Sequence, residues 1–164
     1  IVNSGAKVNP TLIKGKTEKK NEVIISNKTS LKMKSIMRLV VSNKYGTAKK
    51  AEAPGYLIGG KTGTAEKINP SGGYSKRENI VAFTGAFPIN DPEFIITIMI
   101  DNPKGQKFSF GHRTAGWVVA PIVKKLVTRV APILGVNPQL ESSSKFSNNL
   151  LNYKIRGKNH GANL

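Results

Sequence analysis

Lys61, Thr62, Gly63 and Thr64 place an ammonium, two hydroxyls and a bare backbone position in four consecutive residues. Such a run can do two different things, depending on the backbone beneath it. In a loop that opens into a helix, Gly55-x-x-x-x-Gly60-Lys61-Thr62 would wrap backbone amides around the phosphates of a nucleotide. On an extended strand, Lys61 would be a fixed positive charge for a substrate carboxylate and an aid to proton movement. The hydroxyls of Thr62 and Thr64 would hydrogen-bond the same carboxylate. Gly63 would let a ligand lie close against the strand, and the N–H of Thr64 would form half of an oxyanion hole.

The flanking sequence decides between the two. A phosphate loop follows a buried strand and runs straight into a helix whose first amides hold the anion. Upstream here lies Ala48-Lys49-Lys50-Ala51-Glu52-Ala53-Pro54, which is no buried strand, and Tyr56, Leu57 and Ile58 would crowd the loop itself. Downstream, Gly63 and the turn formers Asn69-Pro70-Ser71-Gly72-Gly73 leave no room for a helix. The apolar run Ile95 to Ile100 ending in Asp101 imitates a magnesium-holding strand, but without the loop it has nothing to serve. The strand reading stands.

The elements that must position this strand follow from periodicity. Ser30 fits a helix N-cap, and Met33, Ile36, Met37, Val40 and Val41 fall at helical spacing, predicting a buried stripe that ends before Gly46. The methionines in that stripe read as core filler. Val23-Ile24-Ile25 reads as a short strand, and Tyr56-Leu57-Ile58 as the opening of the strand that carries the motif. Ile80 to Phe87 and Glu93 to Asp101 read as two strands joined by the tight connection Pro88-Ile89-Asn90-Asp91-Pro92. The second is apolar on both faces, which predicts a place in the middle of a sheet. A last helix is expected from Ala115 to Leu134, kinked or restarted near Pro121 and stopped by Gly135. The expectation is a mixed α/β (α+β) fold of helix, three antiparallel strands and helix. It occupies residues 1–136, with a basic, disordered tail over 137–164.

Composition bounds the rest. The 164 residues suffice for one domain, and the absence of cysteine excludes a disulfide framework and thiolate metal sites. His112 and His160 stand far apart, which indicates no metal site, and no apolar run reaches the ~20 residues that span a bilayer. Twenty-six Lys and Arg against nine Asp and Glu give a net charge of +17, which favours anionic partners. The lysines are scattered and only 7% of residues are aromatic, which argues against a nucleic-acid interface. His112 follows Phe108 and Phe110 in the loop before the last helix and reads as a surface histidine with no catalytic role.

Over a long stretch the chain resembles the C-terminal part of the transpeptidase domain of class B penicillin-binding proteins, the division-specific type above all. The residues that carry the resemblance are IVNSGAKVNPTLI, YGTAKKAEAPGYLIGGKTGTAEK, NIVAFTGAFPINDPEFIITIMIDNP and GWVVAPIVKKL. It implies an incomplete serine β-lactamase/penicillin-binding transpeptidase-like fold, with the motif strand bordering the active-site cleft. It implies Lys61 and Thr64 as catalytic groups and Thr62, Gly63 and Thr64 as substrate-binding groups. The implied reaction is D,D-transpeptidation of peptidoglycan stem peptides ending in D-Ala-D-Ala, with β-lactams as trapping mimics, and no metal or cofactor. Partners in the division complex and a place at the periplasmic face of the inner membrane are implied in the same way.

That family also needs a serine with lysine three residues on, and a Ser-x-Asn element, both upstream of the motif strand. Ser4 with Lys7, Ser142 with Lys145, and Ser147-Asn148-Asn149 match the spacings but stand in the wrong context. The nucleophile is therefore expected outside this chain, leaving the chain alone inactive and its apolar faces uncovered. The alternatives are a truncated remnant without activity and a basic nucleic-acid-binding protein.

Overall fold

The computed structural model describes residues 1–13 and 22–139. Helix α1 spans Asn27–Ser42. Three antiparallel strands follow, β1 Gly59–Ile68, β2 Tyr74–Phe87 and β3 Phe94–Asp101, in the order β1-β2-β3. Two helices close the fold, α2 Ala115–Val118 and α3 Ala120–Ile133. The break between them falls beside Pro121, whose ring suits the first turn of a new helix. Gly135, at φ +77°, turns the chain out of α3 in a left-handed conformation open to glycine at no steric cost.

The β1–β2 register pairs Lys61 with Thr84 and Gly63 with Ala82, and the β2–β3 register pairs Thr84 with Thr97 and Ala82 with Met99. Because successive side chains alternate across a strand, Thr62, Thr64, Val81, Phe83, Ile96 and Ile98 share one face of the sheet. Lys61, Gly63, Ala82, Thr84, Ile95, Thr97 and Met99 share the other. The first face carries the main core, where Val81, Phe83, Phe87 and Ile96 meet Val119, Val123, Val127 and Ala131 of α2 and α3. Burying each valine contributes on the order of 1.5 kcal/mol. Among the described residues, the second face is covered at one end, where Leu57, Ala86 and Ile89 pack with Val2 and with Leu39 of α1.

Several expectations are corrected here. Helix α1 starts at Asn27, with its N-cap at Ser26, four residues before Ser30, accepting from the Thr29 N–H. Its buried residues are Ser30, Lys34, Ser35, Arg38 and Val41, while Ile36 is exposed and Met33, Met37 and Val40 are half-buried. Acceptors outside the helix reorient it: Lys34 Nζ donates to the Asn90 carbonyl, and Arg38 donates to the Ile58 carbonyl and the Glu52 carboxylate. Val23 makes an isolated bridge with Ala6 instead of a strand, and Tyr56–Ile58 lead buried into β1, which begins at Gly59. Finally, β3 lies at an edge of the described sheet, with Ile95 72% and Met99 68% exposed.

The beginning of the expected tail is in place. Gln139 donates its N–H to the Gly55 carbonyl and its side-chain oxygen accepts from Asn90. The remainder, with Ser142, Lys145, Ser147 to Asn149 and His160, lies outside the described residues.

Candidate active site

The motif is strand throughout. Gly60 to Thr64 lie in β1, which runs on to Ile68 with no helix behind it, so the residues cannot cradle a nucleotide in a phosphate loop. Asp101, the residue that imitates a magnesium ligand, is instead paired with Lys67, at 3.0 and 3.2 Å from its two carboxylate oxygens. That hydrogen bond, and after it the charge of Asp101, raise the Lys67 pKa above its ordinary value.

The strand is held from both ends of the fold. Behind it, the guanidinium of Arg38, 2% exposed, donates to the Ile58 carbonyl at 2.9 Å and to Glu52 at 3.0 Å. This pins the lead-in to β1 and the short 3₁₀ turn Lys49–Ala51 to one helix. In β1 itself, a Cβ on Gly60 would sit 2.4 Å from the Phe83 ring and 2.6 Å from the Thr84 carbonyl, so the core leaves room for glycine alone. A Cβ on Gly63 would meet nothing within 4 Å. Gly60 is therefore explained by packing, and Gly63 is not.

Thr62 and Thr64 open onto one groove of about 460 Å³, lined also by Thr47, Lys49, Lys50, Thr114, Ala115, Gly116 and Trp117. The Thr62 and Thr47 hydroxyls lie 3.0 Å apart, and Thr64 Oγ1 accepts from the Ala115 N–H at 3.5 Å. Lys61 and Gly63 belong to the opposite face of the strand, and Lys61 Nζ donates along the chain to the Thr62 carbonyl at 2.6 Å. The four motif residues are thus adjacent but divided between two faces: the hydroxyls line the groove and the ammonium does not.

The groove's other residues went unassigned from sequence. Lys50 Nζ stands 4.1 Å from the centroid of the Trp117 ring, within cation–π range. Trp117 also stacks with His112 at 5.0 Å and meets the edge of Phe110 at 5.6 Å, so the histidine is part of an aromatic cluster at the groove's rim. In the sequence Trp117 falls within the last expected helix, and Lys49 and Lys50 stand in the stretch before Pro54, close after Thr47 and just upstream of the motif; that closeness is the available signal for the two lysines. As for the Ser4–Lys7 pair, Lys7 Nζ pairs with Glu22 at 3.0 Å.

Residues 1–128 match the model of the penicillin binding protein transpeptidase domain. The chain belongs to that family. It is 40% identical over 124 residues to a probable peptidoglycan D,D-transpeptidase FtsI of Caulobacter vibrioides, covering 72% of this chain and 21% of that protein. Stage V sporulation protein D of Bacillus subtilis is 38% identical over 122 residues, covering 74% of this chain and 18% of the relative. Among solved structures, penicillin binding protein 3 of Mycobacterium tuberculosis complexed with aztreonam superposes with a TM-score of 0.68 at 27% identity, over 85% of this chain and 34% of that one. The transpeptidase domain of Burkholderia pseudomallei penicillin-binding protein 3 gives 0.61 at 29% identity, over 73% and 34%. The chain therefore has a penicillin-binding transpeptidase fold, and spans about a fifth of the curated relatives and a third of the solved chains it matches.

Proposed function

We propose that this chain is the Lys-Thr-Gly-Thr side of a serine D,D-transpeptidase site that cross-links peptidoglycan, and that the nucleophilic serine comes from polypeptide outside it. The observation that carries this reading is the pair of threonine hydroxyls, Thr62 and Thr64, aimed from one strand into one groove, beside a glycine whose open space the core does not require.

In the reaction, the serine oxygen attacks the carbonyl of the D-Ala-D-Ala peptide bond and loses its proton to a base. The tetrahedral oxyanion collapses, the C–N bond breaks, and D-Ala leaves as the protonated amine. An amine of a neighbouring stem peptide then displaces the serine oxygen. Thr62 and Thr64 hold the terminal carboxylate by hydroxyl donation. The Thr64 N–H stabilises the oxyanion, and Gly63 lets the peptide approach the strand. Lys61, on the face away from the groove, sits beside the attacking serine and assists its proton transfer. A β-lactam opens on the same serine and stays attached. The work is done at the periplasmic face of the inner membrane, in company with division proteins. No helix of the described residues is itself long and apolar enough to cross a membrane.

The test is intact mass after incubation with a fluorescent penicillin, on this chain and on a polypeptide that also carries the upstream Ser-x-x-Lys and Ser-x-Asn elements. Labelling of the longer form alone is expected. Labelling of the short chain would show a competent serine within it and overturn the borrowed nucleophile. Failure of both forms to label would remove the transpeptidase reading.

A further inference from the structure

Resting on that reading, the groove poses a question of charge. A terminal carboxylate seated on Thr62 and Thr64 needs a cation nearby, and Lys61 does not line this groove. Two lysines do, Lys49 and Lys50. Lys49 is already engaged, donating to the Ser42 carbonyl at 3.1 Å. Among the described residues, Lys50 rests on the Trp117 ring, a contact that orients an ammonium without using up its hydrogen-bond donors.

We propose that Lys50, poised on the Trp117 indole, is the specificity-determining cation of this site: it pairs with the free C-terminal carboxylate of the donor peptide, with Thr47 as a third hydroxyl. The arrangement has three parts with separate jobs. Thr47, Thr62 and Thr64 supply hydroxyl donors at a spacing fixed by the 3.0 Å contact between the first two. Lys50 supplies charge, which a hydroxyl cannot. Trp117 holds the long, flexible lysine stem over the groove and offers an apolar wall for the D-alanine methyl. The site should therefore reject substrates whose carboxylate is amidated or esterified, because the ammonium would face a neutral group after losing part of its water.

The experiment uses a polypeptide that carries this chain together with the upstream Ser-x-x-Lys and Ser-x-Asn elements. Its acylation rates are compared for benzylpenicillin and for its methyl ester, which keeps the reactive ring and lacks the carboxylate charge. Wild-type protein should strongly prefer the acid. Lys50→Met should slow acylation by the acid about tenfold, the usual scale for a lost charge-assisted contact, and leave the ester rate unchanged. Lys50→Arg should retain most of the preference. Trp117→Leu should fall between the two, with Lys50 present but unsupported. Equal slowing of acid and ester by Lys50→Met, or no slowing of either, would overturn the assignment. If wild-type protein is acylated by neither compound, the transpeptidase reading fails first and this one with it.

Discussion

Glycines 60 and 63 separate what the fold requires from what a ligand requires. Gly60 is walled in by the Phe83 ring and the Thr84 carbonyl, whereas a methyl on Gly63 would meet nothing. Gly63→Ala should then leave the thermal midpoint within about 2 °C, since an exposed substitution of this kind shifts stability by less than ~0.5 kcal/mol. In the longer polypeptide the same change should slow penicillin acylation at least about tenfold, because the methyl projects beside Lys61, on the face from which the serine has to approach. A stopped-flow acylation assay beside a melting curve checks both halves, and a lowered midpoint with normal acylation would refute the division of roles. Lys67 illustrates a purely structural charge. Its pKa is raised by the hydrogen bond to Asp101 and then by that carboxylate's charge. A raised folded value means that the pair's contribution is complete below the ordinary 10.5 and fades as pH climbs through the higher folded value. Asp101→Asn should bring the Lys67 titration back toward its ordinary position, read from the side-chain NMR shifts, with little change in stability at neutral pH because the pair is solvent-exposed. The motif's residue types and its strand context were legible in the sequence. Its division between two faces followed from strand alternation. The groove's far wall did not, since nothing in a linear reading brings Trp117 over Lys50.

At the scale of elements, the helix that supports the motif was legible in existence and illegible in orientation. Hydropathy puts Met33, Ile36 and Met37 inside and leaves Lys34 and Arg38 outside; the structure reverses this for both basic residues. The reason is chemical. A guanidinium brings several donors in a rigid fork, and the carbonyl of Ile58 and carboxylate of Glu52 stand where they can accept. Periodicity counts hydrophobicity and cannot see acceptors some fifteen to twenty residues downstream (roughly the loop-closure range where pairing is set by the fold). The strands were placed well because their signals are local, whereas the partnering of β3 depends on chain that periodicity does not describe. Arg38→Met keeps much of the volume and removes the donors, leaving the Ile58 carbonyl and the Glu52 carboxylate short of a partner. It should cost about 3 kcal/mol, as expected when one member of a buried pair is removed. In the longer polypeptide it should also lower acylation, because the residues it restrains lead directly into Lys61. Urea denaturation gives the first quantity and penicillin labelling of the folded fraction the second. A loss below about 1 kcal/mol would mean that the helix holds β1 by packing alone.

For the whole molecule, the decisive feature is a sheet that, among the described residues, has one finished face and one open face. Phe83, Val81 and Ile96 are packed under α2 and α3, while Ile95 and Met99 point outward from β3, at 72% and 68% exposure. Leu31 and Ile36 of α1 are exposed as well. The solved relatives match this chain over only about a third of their own length; under the proposed function, the open face is where the remaining part of such a transpeptidase domain would pack. This assignment predicts opposite outcomes from one substitution in two settings. In this chain alone, Ile95→Lys with Met99→Lys removes the apolar surface and puts charge on an open strand edge, both of which oppose self-association. Sedimentation should show the unsubstituted chain aggregating at micromolar concentration and the doubly substituted chain shifting toward monomer. In the longer polypeptide the same lysines would be forced under the helical layer. Burial of unpaired ammonium groups there should cost more than ~2 kcal/mol each, and the protein should lose its penicillin labelling as it unfolds. If the substitutions were harmless in the longer polypeptide, β3 would be a true edge in the intact protein. The open face would then belong to a separate partner, and the serine would have to reach Lys61 by a different route than across this sheet.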